Sequence, residues 1–183
     1  DLEEFRSKFG QDVLGVFNYK DSHDISERQI FNAGSINSDY YSAEITGFAQ
    51  FVPEAWQGRM LTEGDISALA DDEIIISSYT FDSLKAAGLT DEDGNAVELN
   101  DYADIVGKTL LVTAYYPSED SAARLKVAGV YANDLPQKYD VIKRDGSDSE
   151  LYGEFRSTIS YGSYRLALVS DSFRTAHMLT FTN

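Results

Sequence analysis

The sequence predicts an α+β fold of mixed strands and short helices, and three observations carry that prediction. Strand-like and helix-like stretches intermix along the whole chain instead of separating into halves. The apolar run Ile74-Ile75-Ile76 reads as a strand buried on both faces, and a serine-capped helical stretch follows it at once. No internal repeat or low-complexity linker interrupts the 183 residues, a length that suits one domain or two small lobes.

The elements follow from local pattern. Residues 1–10 read as a short helix, because Leu2, Phe5 and Phe9 share a face, acids open it, bases lie near its end and Gly10 stops it. Residues 12–19, with Val13, Val16, Phe17 and Tyr19, read as a strand, and residues 20–27 as a polar loop. Residues 28–36 give a second strand, weakened by Asn32, Gly34 and Ser35. Residues 40–46 alternate better and give a third, which Gly47 breaks. Residues 48–57 suit a short helix with Pro53 in its first turn, ended by Gly58. The segment from Leu61 to Asp65 is a polar turn.

Residues 72–77 are a strand. Residues 78–88 are a helix with Ser77 or Ser78 as N-cap, Phe81, Leu84 and Leu89 inward, and Gly88 as its stop. Asp93-Gly94 marks a tight turn in residues 91–95. Residues 108–115 and 124–131 read as an antiparallel pair joined by the polar residues 117–121. Beyond these, residues 139–143 suggest a strand, 144–150 a polar loop and 164–170 a strand. Residues 173–181 fit either a short helix or a final strand.

Composition narrows the partners. Asp and Glu number 31 against 15 Lys and Arg, for a net charge of −16. Such a surface repels nucleic-acid phosphates and anionic lipid heads, and beyond Lys143-Arg144 there is no basic cluster, so no nucleic-acid partner is expected. The absence of cysteine excludes disulfides, thiolate metal sites and cysteine catalysis, without fixing a compartment. No run approaches the ~20 apolar residues of a membrane span, and no basic segment followed by an apolar one opens the chain. The first residue is Asp1 and not Met, which leads to the expectation of a piece of a longer chain whose targeting or anchoring segments lie elsewhere.

Candidate chemistry is sparse. The two histidines, His23 and His177, lie in the first polar loop and the last amphipathic segment, and no Gly-x-Ser-x-Gly elbow accompanies them. The acidic loops at 91–95 and 145–150 lack the calcium-loop spacing, since Gly94 comes too early and Gly146 stands second. With 31 acids some carboxylate pair is inevitable, so pairing alone carries no glycosidase signal. Gly107-Lys108-Thr109 lacks the upstream glycine of a phosphate loop and reads as a turn into a strand. Tyr40, Tyr41, Tyr115, Tyr116, Tyr161 and Tyr164 fall at strand ends or turns, where aromatics can form a protein-contact or sugar-stacking surface. No catalytic, cofactor-binding or metal residue is assigned, and no cofactor is expected.

One ordered set of motifs carries a resemblance. Glu44-Ile45-Thr46-Gly47 is a strand ending in glycine. An aromatic-rich segment then leads to Gly58-Arg59 and the acidic turn Thr62-Glu63-Gly64-Asp65. An apolar strand running into a helix follows, then Val106-Gly107-Lys108-Thr109, then Val127-Ala128-Gly129-Val130 and an acidic turn at Asn133-Asp134. This order, over about 90 residues from Glu44 to Asp134, resembles the MacB-like periplasmic core domain of FtsX-like ABC transporter permeases. The opening helix and strand fit the family's start; an insertion at 91–104 and the region after Asp134 depart from it.

The resemblance implies a single extracytoplasmic domain over 1–183, with a porter-like lobe (1–134) and a smaller β-rich lobe (135–183). It implies a non-catalytic relay of ATP-driven motion on the extracytoplasmic side of a cell membrane, with hydrolysis in a separate ATPase. The implied partners are the transmembrane part of the same permease, the ABC ATPase subunit, and a second permease or an extracytoplasmic protein. The alternative is a cell-surface carbohydrate- or peptide-binding module using the exposed tyrosines and Trp56. A small hydrolase is a third class.

Overall fold

The computed structural model describes residues 31–36, 43–114, 122–139, 149–158 and 163–182. The expected helix at 1–10, strand at 12–19, loop at 20–27 and turn at 117–121 lie outside these residues.

Nine strands form. Seven of them, β1 (Phe31–Gly34), β2 (Ala43–Ile45), β3 (Gly47–Gln50), β4 (Glu73–Ser77), β7 (Thr109–Ala114), β8 (Ala122–Tyr131) and β9 (Leu166–Val169), make one sheet in the order β2-β1-β7-β8-β4-β9-β3. The pairs β1–β2, β1–β7, β7–β8 and β4–β9 are antiparallel; β4–β8 and β3–β9 are parallel. β5 (Leu89–Thr90) and β6 (Ala96–Val97) form a separate small hairpin. Mixed strands and helices are thus the observed class, α+β.

β2 and β3 are separated by Thr46 alone, yet they stand at opposite ends of the ladder. The sheet therefore curls round until one bent run of chain serves both its edges, which removes the long open edges a flat sheet would expose. The expected break at Gly47 is corrected here. The strand direction changes at Thr46, and Gly47 begins β3, which continues to Gln50, so the expected helix from residue 48 starts only at Pro53. The closing point is clamped by the Thr46 amide donating to the Arg165 carbonyl (3.1 Å) and by an ion pair from the Arg165 guanidinium to Glu44. Arg165 is 5% exposed, and burial pushes its guanidinium down from its usual range, so the partly exposed Glu44 carboxylate offsets a charge otherwise costly to hide.

One apolar cluster takes side chains from all seven strands, among them Ala33, Ile45, Phe48, Ile74, Leu110, Leu125 and Val169. That shared interior is what a curled sheet encloses. The helix α2 (Ser78–Ala87) adds Phe81 and Leu84 and touches β2, β4 and β8, so it covers one end of the curl. Ser77 caps it by accepting from the Thr80 amide (3.1 Å), and Gly88 at φ 87° ends it by donating to the Leu84 carbonyl.

The opposite face of the sheet carries a second cluster of Ala49, Phe51, Trp56, Ile75, Tyr131, Leu166 and Leu168. Ile74 and Ile76 point inward and Ile75 outward, all without exposed surface, so the continuous apolar run is a strand covered on both sides as expected. β8 matches this by a bulge. Ile74 pairs with Val127 but Ile75 pairs with Gly129, and the extra residue keeps both Val127 and Val130 inside while turning Tyr131 out.

The later elements need two corrections. Tyr139, read as the start of a strand, ends a 3-10 turn (Gln137–Tyr139); residues 140–143 lie outside the description. Ser149 and Glu150, read as loop, open the helix α3 (Ser149–Thr158). Residues 164–165 belong to a 3-10 turn before β9, and the ambiguous last stretch is the helix α4 (Asp171–Thr182). Within the insertion at 91–104, Asp91 closes its turn by accepting from the Asp93 and Asn95 amides, and Asp101 and Asp104 form a capping box on the 3-10 turn Tyr102–Ile105. Among the described residues no helix is long and apolar enough to cross a membrane.

Candidate binding cleft

The outer cluster is assembled by the chain between β3 and β4. Phe51 leaves β3 with its amide donating to the Val169 carbonyl (2.9 Å). Val52 is extended, and Pro53 then opens α1 (Pro53–Trp56), a single turn whose first position suits a residue with fixed φ and no amide proton. Gly58 at φ 77° reverses the chain so that residues 59–61 run antiparallel to the end of β8. The Leu61 amide donates to Val130 (2.8 Å), and the Ala132 amide donates to Arg59 (2.8 Å). Thr62 accepts from the Val130 amide (3.2 Å).

Arg59 fixes this corner twice. Its guanidinium donates to the Ala132 carbonyl (2.9 Å) and the Asp134 carboxylate (2.8 Å), and it lies 4.9 Å from the Trp56 ring centre and 5.8 Å from that of Tyr131. The two rings are 4.6 Å apart. Tyr131 donates to the Leu166 carbonyl (2.6 Å), and burial holds its phenol well above the ordinary range, so it stays a neutral donor.

Between α1 and the following turn lies an open cleft of about 400 Å³. Phe51, Trp56, Met60 and Ile66 supply its apolar surface; Pro53, Glu54, Gln57, Gly58, Gly64, Asp65 and Ser67 complete the lining. Glu54 and Asp65 are exposed, and the lining contains no Lys or Arg. A volume of this size holds one long side chain or a small ligand.

The residues weighed from the sequence distribute otherwise. Trp56 is 2% exposed, so its ring is a wall and not a platform for a sugar, and Tyr164 is likewise buried. Tyr40, Tyr41, Tyr115, Tyr116, Tyr161 and His23 lie outside the description; His177 falls within α4. Asp91 spends its carboxylate on its own turn, whose amides hold it below the usual carboxylate range, the Asn95 amide foremost. Ser170 and Ser172 both donate to Asp71, and Ser170 also caps α4 by accepting from the Phe173 amide (2.9 Å). Among the described residues no three His, Cys, Asp or Glu side chains are grouped to hold a metal ion. The cleft itself escaped the sequence because it is a concavity between two turns. Pro53, Gly58 and Gly64 mark the turns but not the space between them.

Compared with protein-family models, curated proteins and solved structures, the chain matches none.

Proposed function

We propose that this chain is a non-catalytic extracytoplasmic domain of a bacterial ABC transporter permease of the FtsX-like class. It relays motion driven by ATP hydrolysis in a separate ATPase domain or subunit to a substrate or partner outside the membrane. The MacB-like resemblance supplies this reading, and one observation supports it most: the motif pieces after Gly47, far apart in sequence, converge on β8 and the residues just beyond it. Arg59 and Thr62 meet residues 130–134. Gly129 faces Met60, Thr62 and Ile66 so closely that a Cβ there would lie 2.8 to 3.0 Å from their side chains. The Ser78 hydroxyl accepts from the Asn133 amide (3.1 Å) and side chain (2.7 Å), and the Gly107 amide donates to Val127 (2.7 Å). The motif residues are thus spent on holding one stiff unit, and packed elements that move as a body are a known means of transmitting motion.

The transmembrane part of the same permease and the ABC ATPase subunit are the partners this reading requires, with a second permease or an extracytoplasmic protein beyond them. The full coding sequence tests it. One apolar span before Asp1 and three after Asn183 are expected, and their absence overturns the reading. Calorimetry on the isolated chain should detect no saturable ATP binding; binding would argue for a different role. The rival, a cell-surface binding module, draws support from the cleft, and the buried Trp56 favours a peptide over a sugar as its ligand.

A further inference from the structure

We propose that the cleft between α1 and residues 60–67 docks a basic side chain, arginine or lysine, presented by an apolar stretch of a partner polypeptide. In a chain with 31 acids, two exposed carboxylates alone mean nothing. Glu54 and Asp65 differ because they line a concavity whose remaining surface is aromatic and aliphatic, with no cation among the lining residues to neutralise them. Arginine and lysine have the matching shape. Their methylene stems pack on apolar surface while the charged head reaches the acidic rim. The space, about 400 Å³, accommodates one such side chain with part of its backbone.

The surroundings specify the neighbours of that residue. Val52 and Leu61 are 40% exposed, and each adjoins a lining residue in the chain, Pro53 and Met60. They offer apolar contacts to the residues flanking the basic one. The net charge of −16 draws basic segments in from a distance, so association is faster at low salt. This inference is independent of the transporter reading, since a basic docking segment suits a permease partner and a surface module alike.

The cleft carries its own reporter. Trp56 is the single tryptophan of the chain and forms part of the wall. The intact chain is titrated with acetyl-Leu-Arg-Leu-amide, its citrulline counterpart and its glutamate counterpart, while tryptophan emission is followed at two salt concentrations. The arginine peptide should give a saturable change that weakens with salt, and the other two should not. The double change Glu54→Gln and Asp65→Asn should weaken that binding about five- to tenfold, as two screened surface charges allow. Circular dichroism and the thermal midpoint should stay as they were, because both side chains are exposed. The proposal is overturned by equal binding of the citrulline peptide, by unchanged affinity in the double variant, or by no saturable response. It is also overturned if spermidine matches the peptide, which marks a polyamine site, or if emission changes with protein concentration alone, which marks self-association.

Discussion

The corner around Trp56 and Tyr131 and the cluster around Tyr139, Phe155 and Tyr164 are both aromatic, but they are held by different means. In the first, backbone pairing of residues 59–61 with β8 fixes the frame, and each large polar side chain finds a partner: Tyr131 at the Leu166 carbonyl, Arg59 at Ala132 and Asp134. In the second, rings meet rings. Phe155 stands 5.7 Å from Tyr139 and 5.6 Å from Tyr164, while Tyr79 meets Tyr164 edge-on at 4.9 Å. The Tyr164 hydroxyl is buried with no hydrogen-bond partner among the described residues, and burial raises its phenol well above the ordinary range. The Trp56 corner ties its frame with backbone bonds as well as packing, whereas the Phe155 cluster relies mainly on packing, with its directional side-chain bonds gathered at the edge, where the Tyr139 hydroxyl and Lys138 both donate to Glu154.

The largest expected effect tests whether the first region is integral to the folded unit. Trp56→Ala should cost about 3–5 kcal/mol, the range for removing a buried aromatic and leaving a cavity. The loss should appear as a lower urea midpoint of the whole chain. A change confined to residues 51–67 in hydrogen exchange would instead make that corner an appendage.

Next is Gly129→Ala. A Cβ there meets Met60 Cε at 2.8 Å and Thr62 Oγ1 at 2.9 Å. Met60 can swing its end aside, but Thr62 accepts the Val130 amide and has little freedom to move. A destabilisation of about 1–3 kcal/mol is expected from such overpacking, read from the same urea midpoint. A neutral outcome would show that the turn at 60–66 yields, and would count against its being part of one stiff unit.

Much of this contrast was hidden from the sequence, and the reasons are physical. Ile74-Ile75-Ile76, the Ser77 cap and the Gly88 and Gly107 turns were legible because each signal lies within a few residues of its effect. The sheet closure was not, because Gly47 reads locally as a breaker and nothing local tells that β2 and β3 pair with different neighbours. The bulge at Ala128 exists only relative to β4. α3 was missed because polar residues run into its start and Gly153 lies in its interior, a residue that costs about 1 kcal/mol against Ala in a helix. Its buried side rests on Leu151 and Phe155, too few apolar positions to reveal a helical period.

A matched pair of substitutions isolates directional bonding from packing. Tyr131→Phe removes the donor to the Leu166 carbonyl and should cost about 1–2 kcal/mol, since a buried hydrogen bond is lost. Tyr164→Phe removes a hydroxyl that satisfies nothing, and should be neutral or slightly stabilising. Equal costs at the two sites would erase the distinction between the regions.

The smallest effect concerns acid. Lys138 donates to Glu154 (2.6 Å), as does the Tyr139 hydroxyl (2.8 Å), and these bonds hold the Glu154 carboxyl below its usual range, Lys138 foremost. A carboxyl depressed on folding stabilises the folded state above its unfolded pKa of 4.5, and that contribution is lost as pH falls through the lower folded value. Asp91 and Asp104 are depressed as well, by backbone amides from Asn95 and Asp101 in the first instance, so a global acid titration would mix their contributions with that of Glu154. The readout must therefore be local. As pH falls below 4.5, hydrogen exchange in α3 should rise before the emission of Trp56 changes, because Glu154 lies on that helix, whereas the Trp56 wall is framed by the backbone pairing of residues 59–61 with β8 as well as by the Arg59–Asp134 pair. Glu154→Gln should remove the acid step in α3 while leaving the tryptophan signal in place. Simultaneous loss of both signals in the parent chain would mean that the two aromatic regions unfold as one cooperative unit despite their different construction.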